Sequence, residues 1–179
     1  MPSSIWWGHE MIEFMVIAAP RSGTTWAANW LTTNDTLCLH DPLHTRHYND
    51  LDLIKSDKHL GISCTGIRMF GEFLAKHPAR KVILHRDPTE INASLSEIGL
   101  PEIDGEKVST MLQSIKGLHF QWTDLFSERQ AELIHEFLLE KPFDTERHQV
   151  LMAMSIEPAY ERVPYDKAVM RELLKELHS

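Results

Sequence analysis

Two cysteines, Cys38 and Cys64, are all that this 179-residue chain contains. That is too few for a disulfide scaffold, so free buried thiols in a reducing cytoplasm are the simpler expectation than a bridge between them. Positive charge is also in deficit, with 18 Lys and Arg against 26 Asp and Glu and a net charge of −8. This balance gives no general attraction for nucleic acid, and an anionic ligand needs positive charge concentrated in its own pocket. No apolar run approaches the length that spans a bilayer, and the N-terminal MPSSIWWGHEMIEF has neither a basic start nor the apolar core of a signal peptide. The expectation is a cytoplasmic protein without a membrane partner. Repeats, low-complexity tracts and composition breaks are absent, and with 42% hydrophobic residues, positions 1–179 read as one domain with a full core.

What is present alternates between strand and helix signals. Glu13–Ala18 is a short apolar run stopped by Pro20, and Thr36–His40 and Lys81–His85 read the same way. A helix is expected from about Thr24. Ile67, Phe70, Phe73 and Leu74 share a helical face, as do Val108, Met111, Leu112 and Ile115. Ser127 with Gln130 reads as a capping box, opening a helix striped by Leu133, Ile134, Phe137 and Leu138 and ended by Pro142. Val169, Met170, Leu173, Leu174 and Leu177 mark a last helix. Residues 41–66 read as a long loop at the mouth of a site. The fold class is α/β, with a central, mostly parallel sheet flanked by helices and the site beyond the carboxyl ends of its strands.

Two segments carry chemistry. In VIAAPRSGTTW the strand-to-helix turn leaves the N–H groups from about Ser22 to Trp26 converging on one point, with Arg21, Thr24 and Thr25 around it. ATP- and GTP-using phosphate loops place lysine directly after the last glycine. Here Thr24 follows Gly23, so basic reach must come from Arg21. In VILHRDPTEINASL, Asp87 as N-cap, Pro88 at the first helical position and Glu90 at the third start a helix at once, leaving Arg86 at a strand's carboxyl end. Ser94 lies in that helix's second turn and can face the same end of the sheet. The alternatives are a well-capped turn in the first case and a surface pair of Arg86 with Asp87 or Glu90 in the second.

Together the two segments resemble the sulfotransferase family. PRSGTTW is similar to its 5′-phosphosulfate loop, and Arg86 with Ser94 to its 3′-phosphate motif. The resemblance implies a three-layer P-loop fold and 3′-phosphoadenosine 5′-phosphosulfate as sulfuryl donor, bound by Arg21, Ser22, Gly23, Thr24, Thr25, Trp26, Arg86 and Ser94. Arginine at position 21 is similar to the carbohydrate- and protein-modifying branches, where the cytosolic branch has lysine. Trp26 matches the aromatic on which the cytosolic branch stacks adenine, unless it packs the helix on the sheet. LHDPLH resembles the carbohydrate enzymes' EPL segment, which implies Asp41 as general base. His40 and His44 are rivals, since the cytosolic branch uses histidine. Arg21 would stabilise charge on the departing phosphate.

His40, Asp41, His44 and His47 also invite a metal reading. It is set aside, because Pro42 and Thr45 disturb helical spacing and 11 histidines make clustering by chance easy. The resemblance covers residues 14–95. The cytosolic branch's glycine-rich C-terminal motif is missing, and residues 142–158 take no assigned role; there Arg147 and His148 either touch the nucleotide or lie on a solvated helix face. So short a chain implies a large or exposed acceptor, or a pocket completed by another subunit of a homo-oligomer. The acceptor itself, whether a small molecule, a glycan or a peptide, is not readable. The alternatives in function are a P-loop nucleotide kinase and a nucleotide-binding module without catalysis.

Overall fold

In the computed structural model, which describes residues 11–154, five parallel strands form one sheet. They are β1 (Phe14–Ala18), β2 (Thr36–His40), β3 (His59–Cys64), β4 (Arg80–His85) and β5 (Leu118–Gln121), in the order β2-β3-β1-β4-β5. The helices are α1 (Thr24–Leu31), α2 (Gly71–Lys76), α3 (Pro88–Glu97), α4 (Gly105–Ser114), α5 (Glu128–Leu139) and α6 (Thr145–Ala153). The period of two along a strand divides β1 between two cores. Phe14, Val16 and Ala18 pack with α1, α5 and α6, whereas Met15 and Ile17 pack with α3 and α4. Every residue of β1 is buried, as expected of a central strand covered on both faces.

Arg147 and His148, on α6, belong to this packing. Arg147 is 1% exposed and donates from Nη2 to Asn29 O (2.6 Å) and from Nε to Trp30 O (3.3 Å). It thus places a cation on the carbonyls that end α1, where the helix dipole favours positive charge. His148 is 2% exposed, its Nε2 on Leu125 O at 2.8 Å. Neither of the roles considered for the two residues, a nucleotide contact or a solvated face, describes buried side chains that join α6 to its neighbours.

Several elements differ from the sequence reading. β3 and β5 lie where no strand is expected, and β3 breaks the supposed loop 41–66. The face shared by Ile67 and Leu74 belongs to two pieces, a 3-10 turn over Gly66–Met69 and α2, which part at Phe70. Ser127 makes no side-chain cap; the capping box belongs to Gln121 and Asp124, one turn earlier. Leu133 is 51% exposed, and the buried stripe of α5 is Ala131, Ile134, His135 and Leu138. The helix stops at Leu139, where Glu140 turns left-handed, ahead of Pro142. The expected helix through Val169 and Leu177 lies outside the described residues, of which no helix is long and apolar enough to cross a membrane.

Candidate functional site

Three strands deliver their last residues to one cleft of about 590 Å³. From β1 comes the loop Ala19–Gly23. Its turn needs positive φ at Arg21 (61°) and Gly23 (82°). Glycine at 23 adopts its φ without strain, and a Cβ there would lie 2.9 Å from Leu125 Cδ1, which would have to shift. Ser22 is wholly buried and donates back to Pro20 O at 3.3 Å, leaving only its backbone for a ligand. No side chain caps α1, and its first intrahelical bond runs from Ala27 N–H to Gly23 O at 2.9 Å. The N–H groups of Thr24, Thr25 and Trp26 therefore stand ahead of the helical ladder at the positive end of its dipole. Ser63 of β3 fixes this end by donating to Thr24 O at 2.8 Å.

β4 ends at His85 and hands Arg86 to the same cleft. The Asp87 carboxylate accepts from the N–H groups of Thr89 (2.8 Å) and Glu90 (3.4 Å), and Pro88 follows it, as the sequence demands. α3 then carries Ser94 back to the loop, where its Oγ accepts from Arg21 Nε at 3.0 Å across 73 residues. Arg86 Nη1 donates to Arg21 O. The guanidinium of Arg86 lies 4.2 Å from the Trp122 ring centroid, and its Nε pairs with Glu90 at 3.1 Å. The surface pair with Glu90 is thus present, but it does not draw Arg86 out of the cleft. Two guanidinium groups and a helix N-terminus so provide the local positive charge that a chain of net −8 requires for an anion.

β2 supplies His40, followed by Asp41 and His44. His40 Nε2 lies 3.2 Å from both Thr24 Oγ1 and Thr25 Oγ1, facing the turn between β1 and α1. Burial pushes its pKa below the usual histidine value, against the opposing pull of Asp41 and assisted by His44. Asp41 adopts φ 40°, which turns Oδ1 away from the loop and onto Thr65, with 2.6 Å to Thr65 N and 3.1 Å to Thr65 Oγ1. Its Oδ2 lies 3.3 Å from His40 Nε2. His44 lines the cleft, further along the chain. Two of the three non-glycine residues with positive φ among the described ones, Arg21 and Asp41, therefore sit here, where left-handed backbone is held by the site around it.

The sequence-predicted residues thus meet at one end of the sheet, but the side chains of Ser22 and Trp26 are buried. Trp26 is 7% exposed, donates from Nε1 to Leu151 O at 3.2 Å and packs against Trp30, Phe126 and His148, so most of its ring serves the core. Sequence reasoning missed Thr65 and Trp122. Thr65 follows β3, which went unread; Trp122 follows β5, likewise unread. Among the described residues no group of three or more His, Cys, Asp and Glu is placed to hold a metal ion. No protein-family model matches the chain, and no curated protein matches it either.

Proposed function

We propose that the cleft transfers a sulfuryl group from 3′-phosphoadenosine 5′-phosphosulfate to a hydroxyl or amine. One observation carries the reading: Arg21, Ser94 and Arg86 meet beside the uncapped N-terminus of α1, although 73 and 65 residues separate the bonded partners. On this reading the 5′-phosphate would lie over the loop and the 3′-phosphate toward Arg86 and Ser94. The donor supplies an activated sulfuryl group on its 5′-phosphate. His40 takes the proton of the acceptor as the acceptor's oxygen or nitrogen attacks sulfur. The sulfur–oxygen bond to the phosphate breaks with its electron pair going to the phosphate oxygen, and Arg21 with the N–H groups of α1 holds that charge. His40 is preferred over Asp41 because its Nε2 faces Thr24 and Thr25 at the N-terminus of α1, whereas Asp41 Oδ1 is turned onto Thr65. Asp41 Oδ2 is instead placed to steady the imidazolium that forms. A nucleotide kinase is disfavoured by Thr24 standing where such loops carry lysine.

Arg86→Ala is the test of the second anion position. A charge-assisted contact to phosphate contributes roughly 1.5–3 kcal/mol, so the variant should bind 3′-phosphoadenosine 5′-phosphate about ten- to a hundredfold more weakly while its affinity for ADP hardly changes. Calorimetric titration of both nucleotides reads this directly. Equal losses for the two would make Arg86 a structural residue and remove the 3′-phosphate from the account.

A further inference from the structure

From the placement of Arg86 over the Trp122 ring we infer that Trp122 is a positioning residue, which orients the Arg86 guanidinium and so sets the preference for a nucleotide bearing a 3′-phosphate. This rests on the sulfuryl-transfer reading and deepens it. Strand register brings the two side chains together. His85 of β4 pairs with Gln121 of β5, so that Arg86 and Trp122, the next residue of each strand, leave the sheet side by side.

Trp122 is held by its own turn. Gln121 N–H donates to Asp124 Oδ2 at 2.8 Å, within the capping box that opens the 3-10 turn Trp122–Phe126. Leu125 of that turn is wholly buried against Gly23, and its carbonyl oxygen meets His148 Nε2 at 2.8 Å. Phe126 stands edge-on to the indole, with centroids 5.3 Å apart and planes at 88°.

Arg86 gains from such a neighbour because the exposed Glu90 competes for it. Glu90 Oε2 accepts from Nε at 3.1 Å, while Nη1 donates to Arg21 O and Cζ lies 4.2 Å from the Trp122 centroid. A guanidinium carries its N–H groups in its own plane, so a contact with the face of a ring restrains it without using a donor. Nη2 keeps both of its N–H groups for a ligand, having no hydrogen-bond partner among the described residues.

The test is calorimetric titration of 3′-phosphoadenosine 5′-phosphate and of ADP into the full-length protein and into Trp122→Leu, Trp122→Phe, Arg86→Ala and the double variant Trp122→Leu/Arg86→Ala. Leucine keeps apolar bulk beside Phe126 without a π face, and phenylalanine keeps the face. Trp122→Leu should weaken 3′-phosphoadenosine 5′-phosphate by about three- to thirtyfold and ADP by less than about twofold. Trp122→Phe should recover most of that loss. In the Arg86→Ala background Trp122→Leu should add almost nothing, because it acts through the missing guanidinium. Equal losses for the two nucleotides overturn the inference, since a stacking platform for the base or a packing residue would give them. Unchanged affinity in Trp122→Leu, a phenylalanine no better than leucine, or full additivity in the double variant overturns it too. A Trp122→Leu chain that fails to fold also overturns it, because the ring would then serve the core. An unmodified protein that shows no preference for 3′-phosphoadenosine 5′-phosphate over ADP is a different result. It refutes the donor assignment itself, and the role of Trp122 with it.

Discussion

His40→Gln is expected to lower sulfuryl transfer by roughly 10²–10⁴-fold, the usual contribution of a positioned general base, with nucleotide affinity nearly unchanged. Glutamine keeps a polar group near Thr24 and Thr25 but cannot take up the acceptor's proton. Single-turnover rates are the proper measure, because they separate the chemical step from product release. The pH dependence gives a second readout. A base must be deprotonated to act, and burial holds the His40 pKa below its usual 6.5. The unmodified protein should therefore lose its rate on the acid side with a midpoint below pH 6.5, and His40→Gln should abolish that acid limb. Asp41→Asn retains an acceptor oxygen for Thr65 and should cost less. If Asp41→Asn abolishes transfer while His40→Gln retains most of it, the base is the carboxylate and the assignment made here is wrong. A collapse confined to His44→Ala would move the role to that side chain.

Arg21→Gly should lower the rate by roughly 10²–10³-fold, as the loss of a preorganised group that faces developing charge does elsewhere. Glycine is the informative replacement. At φ 61° it relieves the backbone of Arg21 while removing the guanidinium, whereas alanine would retain the strain and confuse folding with function. The variant should melt at or above the temperature of the unmodified protein. Ser94→Ala, which removes only the hydroxyl that accepts from Arg21 Nε, should act in the same direction with a smaller effect. Near-normal turnover in Arg21→Gly would show that charge on the departing phosphate is held without this side chain.

The legible parts of the fold are those with strong local signals. β1 and α1 follow from an apolar run that ends in a glycine turn, and α3 from the Asp87–Pro88 start, where one carboxylate satisfies two N–H groups. β3 escaped notice because HLGISC interrupts its apolar residues with Gly61 and Ser63. Both serve tertiary contacts: Gly61 lies beneath the Phe14 ring, and Ser63 ties down α1. β5 is a four-residue edge strand, mostly exposed, and the alternation of Leu118 and Phe120 with His119 and Gln121 is too short to stand out. The same division runs through the site. That Arg21, Arg86 and Ser94 would share one end of the sheet followed from the strand ends and the helix start. Which of His40 and Asp41 faces the loop did not, because it depends on the left-handed turn at Asp41 and on Thr65, reached through an unread strand. Trp26 was equally undecidable from its neighbours in sequence. Its packing depends on Leu151 and His148, 120 or so residues away.

The most direct measurement is thermal unfolding with 3′-phosphoadenosine 5′-phosphate, ADP or ATP, each with and without magnesium. At a hundredfold excess over its dissociation constant, a ligand of the folded state adds about 2.7 kcal/mol. For a chain of this size that raises the melting temperature by about 5–10 °C. The account predicts this shift for 3′-phosphoadenosine 5′-phosphate, without any need for magnesium, and a shift about half as large or smaller for ADP and ATP at the same concentration. Equal shifts for ADP, or a shift seen only with ATP and magnesium, would contradict it.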